Sequence, residues 1–359
     1  MNIGIVGLGL IGSSIAKCLK DTDHTLYGFD DSKSVTDEAI EIGIITQVKS
    51  IEEMSNICDL LVLCIPSKKI IEILDTALSG TAIVTDVASV KKNIFDHVAT
   101  LDADKQSRFF GGHPMAGSEQ SGITAGRADL FKGRLWISIP PSTSDLNQFS
   151  FIKDFISALG AEQAVLSAKE HDELVAYASH LPQIAASTLM DIARIKSEEH
   201  NELLRLTAGG FRDMTRVASS NPRIWNDIVS ENYSEITKSL DVYIDALTKI
   251  RDEIKNKNAE TINSFFERSR EARIHLPENA RLAGKYDEIV IVVKNVPGTI
   301  ENVLKIATDI NIYSISIEDL PGGQEGMMKL LVELGVGNRF GKMLKDAGYE
   351  VSLAEITAE

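Results

Sequence analysis

Cysteine is scarce in this chain: its 359 residues include only Cys18, Cys58 and Cys64. All three sit in apolar contexts, none forms a CxxC pair, and an odd count argues against a disulfide framework. Long apolar runs are missing too. No stretch approaches the ~18 uninterrupted apolar residues that a membrane span needs. The N-terminus reads directly as a strand over residues 1–6, with no basic region leading into a secretion-type apolar core. A reducing, cytoplasmic setting is the default expectation. Positive charge is in deficit, with 37 Lys and Arg against 52 Asp and Glu, a net charge of -15. That balance excludes nucleic acid and anionic membrane as natural partners, while a locally basic site could still take a small acid. Internal repeats and low-complexity segments are absent, and no metal site is expected.

What is present is the composition of a globular protein, 43% hydrophobic and 25% charged. The chain is too long for one ordinary core, so two or three domains are expected. Its first part alternates short Val/Ile/Leu runs (residues 2–6, 25–30, 59–65, 81–86, 109–112 and 134–139) with helical patterns such as 11–20 and 67–78. That alternation predicts an α/β Rossmann-type domain over 1–167, a parallel sheet with helices on both faces. From 168 to 276 no strand is expected. Apolar residues recur there at helical spacing, as in 229–254, and predict an all-α middle domain carrying the substrate site and a dimer interface. A polar stretch over 275–285, with Pro277 and Gly284, reads as a linker. Residues 286–359 then predict βαββαβ, an α+β ferredoxin-like module.

The first strand runs into Gly7-Leu8-Gly9-Leu10-Ile11-Gly12, a GxGxxG opening a helix. Gly7 serves the tight turn, Gly9 the approach of a pyrophosphate, and Gly12 close helix–sheet packing. The helix start offers free N–H groups to phosphates. Asp30, 18 residues beyond Gly12, is placed to accept from ribose hydroxyls and to repel a 2′-phosphate, so NAD is expected over NADP.

Polar residues cluster at two further strand ends, Thr85 to Lys91 and Gly111 to Glu119. His113 precedes a proline, which keeps its backbone extended. An imidazole there suits a proton acceptor for a ring alcohol as hydride leaves, with Ser89 directing the same hydroxyl. With an unshifted pKa, activity would fall as His113 protonates near pH ~6.5. Arg212 and Arg216, four apart on one predicted helix face, offer forks for a carboxylate. His180 precedes Leu181-Pro182 within a helical stretch, where a helix kink is the plainer reading.

The ordered set of Val6 to Gly12, Cys64-Ile65-Pro66, Thr85 to Lys91, Gly111 to Gly122, Ser179 to Pro182 and Gly209 to Trp225 resembles the prephenate dehydrogenase and arogenate dehydrogenase family. The resemblance implies oxidative decarboxylation of prephenate to 4-hydroxyphenylpyruvate with reduction of NAD, in tyrosine biosynthesis. It implies His113 and Ser89 as catalytic residues and Arg216 as the carboxylate binder, with Arg212 and His180 in the substrate site. It places Ile65 and Pro66 against the cofactor and Trp225 near a neighbouring subunit's site in a homodimer or higher homo-oligomer. Gln183 stands where prephenate-using members often have a second histidine, so arogenate, or both substrates, stays open. The C-terminal module resembles an ACT domain through Val296-Pro297-Gly298-Thr299-Ile300, which implies a tyrosine effector. Two other readings compete. A 3-hydroxyacid dehydrogenase would need a helical lysine motif that does not stand out, and an NAD or amino-acid sensor would not need His113, Ser89 and Arg216.

Overall fold

A computed structural model describes residues 1–117, 120, 122–141, 146–200, 202–275, 284–294, 296–319 and 325–358. The short apolar runs form strands because β-branched and leucine side chains are buried on both faces of one sheet. The strands are β1 (Asn2–Val6), β2 (Thr25–Phe29), β3 (Gln47–Val48), β4 (Leu60–Leu63), β5 (Ile83–Asp86), β6 (Phe109–Pro114), β7 (Leu135–Ile139) and β8 (Glu162–Val165). Their order is β3-β2-β1-β4-β5-β6-β7-β8. On β1 and β4, Ile3, Ile5, Leu60 and Val62 join one buried cluster, while Val6, Leu61 and Leu63 join another. That split is the signature of a sheet covered on both sides. Each fully buried Leu or Ile stabilises the fold by about 1.5–3 kcal/mol before entropy is counted.

Two features depart from the expected parallel sheet. Strand β7 pairs antiparallel with β6. Among its described residues, the connection between them holds only the short 3-10 turn Ile123–Ala125, and a parallel return needs a longer crossover, usually a helix. Strands β3 and β8 were not anticipated. One is two residues long, and the other is an edge strand whose residues are all partly exposed, so neither carries a strong apolar pattern.

Beyond Ser167 the described elements up to Ile274 are all helical, as expected. Ser167 caps the helix Ala168–Val175 with a reciprocal Ser167–Glu170 capping box. A π-helical turn, Ala176–His180, follows and runs straight into Leu181–Glu199, with Pro182 in its first turn. The stretch 229–254, read as apolar residues at helical spacing, spans parts of two helices, Pro222–Glu231 and Tyr233–Lys255, which meet at Asn232. Arg212 and Arg216 do not share one α-helix. The helix Gly209–Thr215 ends first, and Arg216 begins the 3-10 turn Arg216–Ser219.

The chain divides into two compact units, Met1–Ile262 and Asn263–Glu359. In the second, β9 (Gly284–Lys294), β10 (Ile312–Asp319), β11 (Glu325–Glu333) and β12 (Val351–Ala358) form an antiparallel sheet in the order β10-β11-β9-β12. Helices Thr299–Ile306 and Gly337–Asp346 complete the βαββαβ order. Alternate residues Ile289, Ile291 and Val293 of β9 meet Met328, Leu330 and Val332 of β11 in a core closed by Val303, Phe340 and Leu344. Of the expected linker, residues 276–283 lie outside the described residues. No helix among the described residues is long and apolar enough to cross a membrane.

Candidate active site

Strands β1, β4, β5 and β6 are parallel neighbours, so the turns that follow them lie along one sheet edge. The strand order reverses beside β1, where the crevice of an open α/β sheet takes ligands. The glycine loop is built as the sequence demanded. Gly7 has φ +90, and a Cβ on it would sit 2.5 Å from the Cys64 carbonyl oxygen. A Cβ on Gly12 would sit 1.9 Å from the Gly7 oxygen. A Cβ on Gly9 would meet nothing within 4 Å. Gly9 also begins the helix Leu10–Leu19 with no side-chain cap, which leaves its first N–H groups for a ligand. The Asp30 carboxylate accepts from Leu8 N and Ser32 N, both at 2.9 Å, and so ties the loop to the end of β2. Each of its oxygens retains a lone pair. Ile65 lies against Gly7, and Pro66 leads the helix Ser67–Ala77. Open space at Gly9, uncapped N–H groups and a carboxylate at the ribose position fit a dinucleotide.

The ends of β5 and β6 are joined by a buried ion pair that was not singled out in the sequence. Asp86 and Lys91 are both 0% exposed. Lys91 Nζ donates to Asp86 Oδ2 and to the Gly112 carbonyl, each at 2.5 Å. Gly112 N donates back to Asp86 Oδ1 at 3.0 Å. Burial pulls the Lys91 pKa down, and the Asp86 carboxylate opposes that pull. Between the pair's two residues the chain must turn through Ser89, and directly after Gly112 comes His113. The sequence expectation ended the strand at 112, whereas His113 and Pro114 are part of β6.

His113 Nδ1 meets His171 Nε2 at 2.8 Å, and His171 Nδ1 meets Asp172 Oδ1 at 2.7 Å. Asp172 also accepts from Lys91 N at 2.9 Å and Lys92 N at 2.8 Å. An acceptor at Asp172 assigns the His171 proton to Nδ1, which makes its Nε2 the acceptor for His113 Nδ1–H. His113 Nε2 is then the free lone pair. His180 is set in the opposite sense. Asn232 Nδ2 donates to the Asp172 carbonyl at 2.8 Å, which orients the amide, and the same nitrogen faces His180 Nδ1 at 3.3 Å. The His180 proton therefore sits on Nε2. Burial first, then His171, Lys91 and His180, hold His113 well below the ordinary histidine pKa. Burial lowers His180 to about 4, against the pull of Asp172. The expected protonation of His113 near pH ~6.5 is thereby corrected downward, because a desolvated imidazolium beside the Lys91 ammonium is disfavoured.

Ser89, His113, His180 and Trp225 line one cavity of about 360 Å³, with Met115 and Ile228 among its apolar walls. The Trp225 ring stands edge-on to His180 at 6.0 Å. Expected near a neighbouring subunit's site, Trp225 here lines the cavity of its own chain. Gln183 does not line it. The residue is buried, donates from Nε2 to the Val217 carbonyl at 2.9 Å, and faces an adjoining cavity that shares Trp225. Arg212 and Arg216 are exposed and are not among the lining residues. Arg216 heads the 3-10 turn that delivers Ser220 and Asn221 to the cavity. Sequence reasoning missed Asp86, Lys91, His171, Asp172 and Asn232. The first two stood in a segment already marked as polar, but nothing local to His171 or Asn232 announces a partner 50 to 60 residues away.

Both cavity histidines should stay neutral at pH 5.5, where an unperturbed imidazole is about nine-tenths protonated. Above pH ~6.5 neither folded nor unfolded chain protonates these rings. Below it the unfolded chain takes protons that the fold refuses, so stability falls as pH drops. His180 alone withdraws roughly 3 kcal/mol by pH 4. Histidine-ring NMR titration checks this, and a His180 midpoint near 6.5 would contradict it.

Against known proteins, residues 15–165 match the nucleotide-binding domain of prephenate dehydrogenase, and residues 167–268 match its dimerization domain. A cyclohexadienyl dehydrogenase of Zymomonas mobilis is 32% identical over 283 residues, covering 77% of this chain and 96% of the relative. A prephenate dehydrogenase of Bacillus subtilis is 28% identical over 341 residues, covering 91% of this chain and 90% of the relative. Among solved structures, Aquifex aeolicus prephenate dehydrogenase in complex with hydroxyphenyl propionate and NAD+ superposes with a TM-score of 0.71 at 29% identity. That match covers 77% of this chain and 98% of the other. Synechocystis arogenate dehydrogenase gives a TM-score of 0.68 at 29% identity, covering 76% of this chain and 99% of the other. With the glycine loop, the neutral histidines and both domain matches in chain order, this chain belongs to the prephenate dehydrogenase family.

Proposed function

We propose that this chain catalyses the NAD-dependent oxidative decarboxylation of prephenate to 4-hydroxyphenylpyruvate, a step of tyrosine biosynthesis. The observation that carries the reading is the half-buried, neutral His113 with its unprotonated Nε2, lining a cavity at the sheet edge that also bears the glycine loop. Gly7 to Gly12 and Asp30 would hold the dinucleotide, the helix start facing its phosphates and the carboxylate its ribose. NAD, when bound, supplies the acceptor for the hydride of the hydroxyl-bearing ring carbon. His113 Nε2 takes the hydroxyl proton, and Ser89 fixes the direction of that hydroxyl. Loss of carbon dioxide from the ring then leaves the aromatic product. A well-placed base contributes about 10²–10⁴ in rate. The rest comes from orientation in the cavity and from aromatisation itself. His180, protonated on Nε2, offers a neutral donor to an oxygen of the substrate. Arg216 takes a substrate carboxylate with a guanidinium that has no ion-pair partner among the described residues, and Arg212 adds positive charge nearby in sequence.

Arogenate is the second reading, and Gln183 favours it. Its amide is committed to Val217 O, so no second cationic or donor side chain from that position selects a keto acid over an amino acid. The name of the Zymomonas relative, a cyclohexadienyl dehydrogenase, is in keeping with both. The C-terminal module serves regulation in this proposal, as an ACT domain that binds tyrosine. It is supported by the βαββαβ order and by a cavity of about 450 Å³ at its first strand–helix turn, lined by Val293, Pro297, Gly298, Thr299 and Ile317.

Four outcomes are expected. Purified protein offered NAD or NADP with prephenate or arogenate should reduce NAD with prephenate, read as absorbance of the reduced cofactor. His113→Asn should keep NAD affinity while kcat falls by about 10² or more; near-normal turnover would remove His113 as base. Arg216→Ala should raise KM about tenfold or more with a smaller change in kcat, as loss of a carboxylate fork does, and an unchanged KM would remove it from the site. Tyrosine should lower the rate and give a calorimetric binding signal that the chain ending before residue 276 lacks; unaltered kinetics without heat would end the regulatory reading.

A further inference from the structure

His171 is 0% exposed, and neither it nor Asp172 lines the cavity with His113, so neither can touch the substrate. Their place in the structure is nevertheless tightly specified. The Ser167 capping box sets the start of the helix that carries them. Asp172 takes backbone N–H groups from both Lys91 and Lys92, so it is clamped to the turn that follows Ser89. The His171 ring stands edge-on to His113 with centroids 5.0 Å apart, which points Nε2 of one at Nδ1 of the other.

A neutral imidazole exists as two tautomers, and only the one protonated on Nδ1 offers Nε2 as an acceptor. We propose that His171, oriented by Asp172, is a positioning residue that locks His113 in the Nδ1–H tautomer and so keeps its Nε2 lone pair aimed at the substrate hydroxyl. The inference rests on the reading of His113 as the base. The interposed ring has a physical purpose. A carboxylate in direct contact with His113 would favour its charged form, whereas a neutral imidazole between them passes on proton direction without placing an anion alongside. The chain is directional, since the acceptor at Asp172 fixes one proton on each ring in turn.

The test uses the full chain with nitrogen-15-labelled histidine, His113 being assigned by its loss in His113→Asn. Wild-type His113 should show an unprotonated Nε2. His171→Gln, whose amide can still accept from His113 and donate to Asp172, should keep that signature and hold kcat within about tenfold of wild type. His171→Leu should scramble the tautomer and lower kcat about 100-fold, with the substrate KM changed less than about threefold. Should the leucine variant fail to fold, His171→Ala, which also removes the acceptor, takes its place against the glutamine variant: the former should scramble the tautomer and the latter should not. The inference is overturned if wild-type His113 carries its proton on Nε2, if His171→Leu retains both tautomer and kcat, or if glutamine at 171 does as much damage as leucine. The NMR arm needs no substrate, so its failure would leave the His113→Asn test of the base untouched.

Discussion

The site depends on one buried ion pair. Asp86 and Lys91 flank the turn that carries Ser89, and through Gly112 they grip the strand that carries His113. Two ions removed from water repay their desolvation only when most of their hydrogen-bonding capacity is used. Here it is, by Ala88 N, Gly112 N and Gly112 O as well as by each other. Removing one partner would strand a buried charge, at a cost of about 3–5 kcal/mol. What that arrangement secures is placement, because two residues 24 positions apart are held at one edge of the sheet with no freedom to separate.

The same pair shapes the electrostatics. Lys91 is a fixed cation close to the desolvated His113 imidazole, and its field helps to keep that ring neutral. A base must be unprotonated before it can act, and the fold imposes that state more by burial than by pH. The protein as a whole is acidic, at net charge -15. An anionic substrate would therefore need local positive charge, the part proposed for Arg216 at the head of the 3-10 turn that leads to Ser220 and Asn221.

Much of this was legible in the residues. The glycine loop could be read because its first and last glycines answer steric demands that no other residue meets, and the structure shows those demands at Gly7 and Gly12. The ferredoxin-like order of the C-terminal module was legible because β9 and β11 alternate strictly between core and outer face. Strands β3 and β8 were not, being too short or too exposed to leave a pattern. His113 and Ser89 stood out through their glycine and proline surroundings. His171 did not, because a histidine in the middle of an amphipathic helix looks like any other until its partner, 58 residues earlier, is brought to 2.8 Å. Asn232 was hidden for a related reason: helical periodicity runs through it, and only the structure shows the break at which its amide turns inward.

The two histidines thus face one cavity with complementary protons, an acceptor on His113 and a donor on His180, both traceable to Asp172. That complementarity is the core of the account, and a crystal structure of the chain with NAD and hydroxyphenyl propionate tests it most directly. The phenolic oxygen should lie within hydrogen-bonding distance of both His113 Nε2 and Ser89 Oγ, with the carboxylate toward Arg216. A ligand seated with its hydroxyl away from His113, or bound outside the cavity, would contradict it.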